Sequence, residues 1–118
     1  MKRGYYFNSG NGKYKNRKCS YNGLRFDSVK ECKYYILLEA RQARGEISNL
    51  QTQVKYLLQP AFKLNNKTVR AVYYIADFVY YDQSGTVHVV DTKGVKTDVY
   101  KLKKKLFQFK YNQDIEEV

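Results

Sequence analysis

Two aspartates and a lysine on two neighbouring predicted strands are the residues of this sequence best suited to chemistry. Residues 72–80 and 86–91 are both rich in β-branched and aromatic side chains, which is typical of strands. Asp77 lies within the first strand, and Asp91 ends the second. Because side chains alternate along a strand, Lys93 falls on the same face as Asp91. Carboxylates that converge on one sheet face beside an ammonium group favour a site for a divalent cation.

The loop between these strands decides whether the two aspartates face each other. A three-residue loop over residues 83–85, with glycine in the left-handed conformation, would pair Asp82 with Thr86. Counting back along both strands then places Asp77 opposite Asp91. Like charges in directly opposed positions are destabilising unless something compensates them. A loop of two or four residues would offset the aspartates, so this register is itself a prediction.

Each of these residues also has a simpler explanation. Asp91-Thr92-Lys93-Gly94 could be a polar turn that ends a strand, since so short a string often arises by chance. Asp77 could form a structural ion pair with one of the many lysines. Its place in an apolar and aromatic run favours a functional role, because a charge is costly to bury there unless it is paired or binds a metal.

The charge of the chain predicts a polyanionic partner. Its 22 lysines and arginines against 11 acidic residues give a net charge of +11 over 118 residues, and nucleic acid is the partner that this balance favours. Residues 1–20 contain no acidic residue and combine basic side chains with tyrosine, glycine and asparagine. We interpret them as a flexible arm that contacts phosphates and stacks on bases. A solvated terminus without a partner is the alternative.

Residues 21–118 are long enough for one domain with a modest core, and no second domain is expected. Nothing in the sequence resembles a signal peptide or an apolar run of membrane-spanning length. Cys19 and Cys32 are too few and too irregularly spaced for a disulfide framework or a zinc site. The sequence therefore predicts a reduced, cytoplasmic compartment and no membrane partner.

Two helices are expected on either side of the predicted hairpin in the sequence. Ser28, with Glu31 three residues later, forms a capping-box pattern for a helix that ends near Gly45. Thr97 can cap a second, basic helix over residues 98–110. The apolar stripe of this second helix consists of Val99, Leu102, Leu106 and Phe109.

Further strands complete an α/β order. An Asn-Gly turn predicts a hairpin over residues 21–26. Residues 47–64 are mixed in pattern and are expected to contain an irregular approach and a strand, followed by a turn at residues 65–67. The acidic residues after Asn112 are expected to form an edge strand or a tail.

In this order of elements the chain resembles the PD-(D/E)XK nuclease superfamily. Members of that superfamily carry a glutamate on an N-terminal helix, an aspartate on the second core strand and (D/E)-x-K on the third. The matching residues here are Glu31, Asp77, Asp91 and Lys93, and the resemblance covers residues 26–109. Asp91 replaces the commoner glutamate, and Ala76 stands where the superfamily name has proline.

Several strings narrow the resemblance to a group of small phage and prophage proteins of this superfamily. Small basic phage nucleases of the superfamily include Holliday junction resolvases. These strings are Tyr21-Asn22-Gly23, Phe26-Asp27-Ser28, Ile75-Ala76-Asp77-Phe78-Val79-Tyr80, Asp91-Thr92-Lys93-Gly94 and Lys103-Lys104-Lys105-Leu106-Phe107. The implied fold is a restriction-endonuclease-like core, in which a mixed central sheet is flanked by helices.

The resemblance also implies a magnesium site, in which Mn²⁺ would substitute for Mg²⁺. The implied ligands are Asp77, Asp91, the backbone carbonyl of Thr92 and, through water or a second ion, Glu31. Lys93 would orient the attacking water and counter negative charge. Gln59 is a weaker candidate for a contact within the site.

The implied activity is metal-dependent hydrolysis of phosphodiester bonds in DNA, serving phage recombination, replication or processing in the cytoplasm of a bacterial host. Branched DNA is a target by analogy, and a symmetric junction would require a homodimer. The residues expected to contact nucleic acid are Lys13, Lys15, Arg17, Lys18, Lys96, Lys101, Lys104 and Lys105. The alternative is a non-catalytic nucleic-acid-binding or host-interaction protein that keeps the nuclease scaffold.

Overall fold

The computed structural model of the protein describes residues 5–8 and 18–118. Backbone contacts separate the chain into two units, Met1–Ile47 and Ser48–Val118. The boundary falls inside the span that the sequence predicts as a single domain, residues 21–118.

The first unit contains three antiparallel strands and one helix. The strands, in their order of pairing, are β1 (Tyr5–Asn8), β2 (Lys18–Tyr21) and β3 (Leu24–Phe26). Asn22 and Gly23 connect β2 to β3 with positive φ angles of 54° and 82°. Helix α1 (Val29–Ala43) begins where the Ser28 hydroxyl accepts a hydrogen bond from the Glu31 backbone N–H at 3.1 Å. The predicted turn and helix cap are confirmed, whereas part of the predicted arm lies in β1 and β2.

A disulfide joins Cys19 of β2 to Cys32 of α1. The two cysteines are 13 residues apart in the sequence, but the turn after β2 and the start of α1 bring their Cα atoms to 6.0 Å, a separation that a disulfide spans. The number and spacing of the two cysteines argue against a disulfide framework but do not anticipate this single bridge. Because disulfides are rare in cytosolic proteins, the two cysteines no longer support a cytoplasmic location.

The second unit contains a mixed sheet, a short hairpin and one helix. Its elements in chain order are β4 (Ile47–Gln59), β5 (Phe62–Leu64), β6 (Lys67–Val69), β7 (Val72–Asp82), β8 (Val87–Asp91), α2 (Asp98–Tyr111) and β9 (Glu116–Glu117). The sheet has the spatial order β4-β7-β8-β9, in which β8 is antiparallel to β7 and parallel to β9. The predicted α/β class with a mixed sheet is confirmed, and β9 is the edge strand expected after Asn112.

Strand β4 is longer and more regular than its sequence suggests. Asn49 and Gln53 take left-handed conformations within it, with φ of 54° and 52°. Side chains nevertheless alternate between half-buried and exposed from Leu50 to Tyr56, and the polar Thr52 among the half-buried residues makes this alternation hard to see in the sequence. Asn65 and Asn66 also have positive φ, 50° and 64°, and form the two-residue turn between β5 and β6.

Helix α2 packs on the sheet through Tyr100 and Phe107. Its first turn is capped as predicted, because the Thr97 hydroxyl accepts a hydrogen bond from the Tyr100 N–H at 3.1 Å. The centre of the Phe107 ring lies 4.9 Å from the ring centre of Tyr56 and 5.3 Å from the ring centre of Tyr74. The buried core of this unit consists of Tyr74, Ala76, Val79, Val89, Tyr100, Phe107 and Ile115. The predicted stripe of α2 is exposed instead.

Neither α1 nor α2, the two helices of the described residues, is long and apolar enough to cross a membrane.

His88 of β8 links the β7–β8 hairpin to the edge strand β9. Its Nε2 lies 2.8 Å from Asp82 Oδ2, and its Nδ1 lies 2.6 Å from Glu116 Oε2. The ring stacks on Tyr80 at 4.9 Å. The hydrogen bond from His88 to Asp82 raises the pKa of His88, and the hydrogen bond from His88 to Glu116 adds to this rise. Hydrogen bonds from His88 and Ser84 lower the pKa of Asp82.

His88→Gln is expected to destabilise the protein more at mildly acidic than at alkaline pH. Because the pKa of His88 is raised on folding, its stabilisation is present below the unfolded value of about 6.5 and is lost as pH rises through the folded value. The loss should be about 1 kcal/mol or less, since the pair lies near the surface. Urea denaturation at pH 5.5 and pH 8.5 measures it, and an equal loss at both pH values would contradict the ionic pairing.

Candidate active site

The hairpin of β7 and β8 brings Asp77 and Asp91 together in the predicted register. Strand pairing runs from Tyr81 opposite Val87 to Phe78 opposite Val90, so one further step along both strands sets Asp77 against Asp91. The loop is closed by a hydrogen bond from the Asp82 N–H to the Thr86 carbonyl at 3.0 Å, and Gly85 takes the left-handed conformation with φ of 84°. The three-residue loop is therefore confirmed.

Asp77 is held by the residue that follows β8. Its Oδ2 accepts hydrogen bonds from the Thr92 backbone N–H and from the Thr92 hydroxyl, both at 2.8 Å. Its Oδ1 faces the Gln53 amide nitrogen at 3.4 Å, a distance at which a hydrogen bond is weak. One carboxylate oxygen of Asp77 is thus firmly bonded and the other is only loosely held.

Asp91 is the most unusual carboxylate of the described residues, because its residue exposure is 0%. Its Oδ2 accepts a hydrogen bond from the Tyr74 hydroxyl at 2.7 Å. Its Oδ1 is buried and has no hydrogen-bond partner among the described residues. Burial raises the pKa of Asp91, the Tyr74 hydrogen bond opposes this rise, and the neighbouring charge of Asp77 adds to it.

Lys93 provides the positive charge closest to the unpartnered oxygen. Its Nζ lies 3.9 Å from Asp91 Oδ1, which is an ion-pair distance but too long for a hydrogen bond. The same ammonium lies 5.4 Å from the centre of the Tyr100 ring. The side chain is 41% exposed, so Lys93 reaches from solvent to the buried carboxylate.

A cleft opens beside this group, between the start of α2 and β7. Its volume is about 210 Å³, and its lining residues are Tyr74, Ile75, Lys93, Thr97, Val99, Tyr100 and Lys103. Lys93 and Lys103 bring two ammonium groups to the cleft, and Tyr74 and Tyr100 bring aromatic rings. A polyanionic chain passing along this cleft would meet positive charge next to the two aspartates.

Gln53, and not the predicted Gln59, approaches the aspartates. Gln53 contacts Asp77, and Tyr56 stacks near Tyr74 with ring centres 6.5 Å apart, so β4 runs antiparallel to β7. Gln59 is the exposed last residue of β4, about 20 Å further along the strand. The contact from Gln53 spans 24 residues of sequence, and no local pattern signals it.

Glu31 lies in the first unit, Met1–Ile47, whereas the hairpin that carries Asp77 and Asp91 belongs to the second unit, Ser48–Val118. It is buried in the first turn of α1, where its N–H is bonded by the cap residue Ser28. Ser28 therefore caps α1 as predicted, and the metal-binding role of Glu31 stays a prediction.

The basic residues expected to contact nucleic acid differ in their surroundings. Lys13, Lys15 and Arg17 lie outside the described residues, and Lys18 is exposed at the start of β2. Glu117 of β9 pairs with Lys104 Nζ at 3.1 Å and with Lys96 Nζ at 3.3 Å. Hydrogen bonds from Tyr100 and then from these two lysines lower the pKa of Glu117 to about 2. Lys101 and Lys105 are exposed on α2.

The donor set near the cleft fits Mg²⁺ in chemistry. Asp91 Oδ1 is an orphaned buried oxygen, and an anionic oxygen without a partner is costly to keep unless a cation compensates it. Asp77 supplies a second carboxylate, and the carbonyl of Thr92 takes no part in the two bonds to Asp77. In residues 5–8 and 18–118, no group of three or more His, Cys, Asp or Glu side chains is placed to hold a metal ion. Magnesium is commonly bound by one or two carboxylates together with water and the phosphate of the substrate.

A comparison with protein families matches residues 11–117 to the model of DUF1064, described as a protein of unknown function. The chain belongs to the DUF1064 family. The match spans both units and includes the hairpin, the cleft and α2. No curated protein and no solved structure matches the chain. Since the description of DUF1064 assigns no activity, the function of this member must be argued from the geometry of its site.

Proposed function

We propose that this DUF1064 protein is a metal-dependent DNA endonuclease that hydrolyses phosphodiester bonds, built on a restriction-endonuclease-like core. The observation that carries the proposal is Asp91. Its carboxylate is fully buried, one oxygen lacks a hydrogen bond, and that oxygen faces Lys93 beside a second aspartate. A structural ion pair would not need Asp77 alongside, since a second like charge weakens it.

Each residue has a separate task in this mechanism. Asp77 and Asp91 would hold Mg²⁺ together with the Thr92 carbonyl, and the bound ion would supply electrostatic stabilisation to the phosphoryl oxygens of the substrate. Tyr74 keeps Asp91 Oδ2 occupied, so that Oδ1 is the oxygen presented. The Lys93 ammonium is placed to donate a hydrogen bond to the attacking water and to offset the charge of the reacting phosphate.

DNA is the proposed substrate because the cleft and the neighbouring helix carry positive charge. The net charge of +11 and the two ammonium groups of the cleft favour a polyanion. Lys101 and Lys105 extend this charge along the exposed side of α2. By analogy with small phage nucleases we place the protein in phage DNA processing within a bacterial host, with branched DNA as a target and a homodimer acting on symmetric junctions.

A second candidate is a non-catalytic nucleic-acid-binding protein on the same scaffold. The observation in its favour is the net charge of +11, since exposed lysines bind DNA whether or not the site is active. Such a protein would use the same lysines to bind DNA but would leave Asp91 as a residual buried charge.

A cleavage panel separates the two candidates. Duplex, single-stranded, flapped and four-way DNA are incubated with the protein in Mg²⁺, Mn²⁺ or EDTA. The endonuclease proposal expects cutting of at least one substrate with either metal and none with EDTA. Binding without cutting on every substrate, with both metals, would instead identify the non-catalytic protein.

DNA affinity is expected to fall steeply with salt, and the exposed lysines of α2 should account for part of the slope. The slope of log K against log salt should be about −0.9 for each phosphate contacted on duplex DNA. Lys101→Ala with Lys105→Ala should reduce its magnitude by about 1 per lysine removed. The matched control is Lys63→Ala with Lys67→Ala, two exposed lysines of the β5–β6 hairpin. Fluorescence anisotropy measures both, and equal slopes for the two double variants would exclude α2 from the DNA interface.

A further inference from the structure

Helix α2 exposes an apolar stripe that the other elements of the second unit do not cover. The stripe consists of Val99, Leu102, Leu106 and Phe109. Phe109 is 91% exposed and Leu102 is 58% exposed. Apolar side chains that lie together at the surface of a small protein commonly mark an interaction site.

The helix cannot bury this stripe by rotating, because its other side is anchored. Phe107 is fully buried among aromatic rings. The Tyr100 hydroxyl donates a hydrogen bond to Glu117 Oε2 at 2.8 Å, and Lys104 bonds the other oxygen of the same carboxylate at 3.1 Å. The stripe is therefore a fixed outer face of the helix.

The spacing of the stripe fits a second helix better than a lipid surface. Its residues follow one another at steps of three, four and three, which are the a and d positions of a heptad repeat. At 3.6 residues per turn they span about 80° of the helix. So narrow a stripe is a seam for one facing helix, whereas a helix that lies on a bilayer has a broader apolar face.

Three lysines and one aspartate flank the seam. In this heptad frame Lys103 and Lys110 occupy e positions, and Asp98 and Lys105 occupy g positions. Charges at e and g select the partner. A second copy of α2 would form as many like-charge contacts as opposite-charge contacts along the seam, whereas an acidic helix would meet three lysines and only one aspartate.

We infer that α2 binds an amphipathic helix of another protein, with apolar residues at its a and d positions and acidic residues at e and g. The seam supplies the apolar contact, and the flanking lysines supply charge complementarity with the acidic helix. The apolar residues of the seam other than Val99 do not line the cleft, whereas the flanking Lys103 does line it, so the acidic helix and DNA would compete for the lysines of α2.

The test uses the full-length protein and a fluorescein-labelled synthetic peptide of three heptads, with leucine at a and d and glutamate at e and g. Its glutamates repel one another, so the peptide does not pair with itself at neutral pH. Anisotropy should show binding at least about tenfold tighter than that of a peptide with lysine at e and g. Leu102→Ser should weaken binding of the glutamate peptide about tenfold.

The matched control is Leu64→Ser, because Leu64 is 59% exposed in β5 and Leu102 is 58% exposed in α2. The control should leave peptide affinity unchanged, and circular dichroism should show both variants folded. Lys105→Glu with Lys110→Glu should reverse the preference toward the lysine peptide. This reversal would support the role of Lys105 and Lys110 in selecting an acidic partner.

Three outcomes would overturn the inference. Equal affinity for the glutamate and lysine peptides would show that the charges at e and g do not select the partner. A dimer in sedimentation analysis that Leu102→Ser dissociates would assign the seam to a second copy of the chain. Binding to phosphatidylglycerol vesicles that depends on Leu102, without binding to the glutamate peptide, would assign it to an anionic lipid surface.

Discussion

Asp91→Asn is expected to abolish metal-dependent DNA cleavage and, at the same time, to stabilise the metal-free protein. Cleavage should fall by about 10²–10³-fold or more, because the substitution removes the buried anionic oxygen that would hold the ion. Stability should rise by about 1–2 kcal/mol at pH 8, because asparagine removes a buried charge whose Oδ1 has no hydrogen-bond partner among the described residues. A residue retained only for structure would not combine these two effects.

The pH dependence of this gain has a definite sign. Burial raises the pKa of Asp91 in the folded protein, so the residue favours folding when protonated, and that contribution is lost as pH rises through the folded value. The stability difference between Asp91→Asn and the unsubstituted protein should therefore shrink near pH 4. Urea denaturation at pH 4 and pH 8 measures it.

Two controls keep this prediction specific. Mg²⁺ should raise the melting temperature of the unsubstituted protein and leave that of Asp91→Asn unchanged, which reports on the ion without measuring cleavage. The pKa of Asp114 shifts in the opposite direction, because a hydrogen bond from Gln108 lowers it. Asp114→Asn should thus lose stability at pH 8. Cleavage by Asp91→Asn at the unsubstituted rate would refute the role of Asp91.

The parts of the site that follow from local geometry could be predicted from the sequence. The three-residue loop sets the register of β7 and β8, and that register alone sets Asp77 against Asp91. Ser28 and Thr97 cap their helices because a hydroxyl reaches a backbone N–H only three residues away. In each case the interacting groups are neighbours in the chain or across one tight turn.

The parts that depend on distant segments could not be predicted. Gln53 reaches Asp77 only because β4 lies beside β7 in the sheet, and the polar run Gln51-Thr52-Gln53 shows no apolar alternation in the sequence. Tyr74 looks like one more aromatic strand residue, although its hydroxyl bonds Asp91 across 17 residues. Cys19 and Cys32 pair because a turn and a helix start bring them together. Strand pairing and packing over long sequence separations have no local signature.

The face through which α2 packs on the sheet could not be predicted from the sequence either. Its sequence contains two apolar faces, one with Tyr100 and Phe107 and one with the exposed stripe, and periodicity cannot rank them. The structure packs the aromatic face on the sheet, where Phe107 meets the rings of Tyr56 and Tyr74. Since the exposed stripe contains an aromatic residue too, Phe109, side-chain size does not rank the two faces. The packed face is the one that finds partners, through the ring contacts of Phe107 and the hydrogen bond from Tyr100 to Glu117.

Phe107→Ala is expected to destabilise the second unit by about 3–5 kcal/mol, the usual cost of truncating a fully buried phenylalanine. The Phe107 ring is fully buried and lies 5.3 Å from the ring of Tyr74, the residue whose hydroxyl bonds Asp91. Its loss should therefore open a cavity and loosen the support of Asp91. The matched control is Phe109→Ala, two residues further along α2, which should change stability by no more than about 0.5 kcal/mol because Phe109 is 91% exposed. Guanidinium denaturation of the full-length protein measures both, and similar losses would contradict the packing of α2 on the sheet through Phe107 and not Phe109.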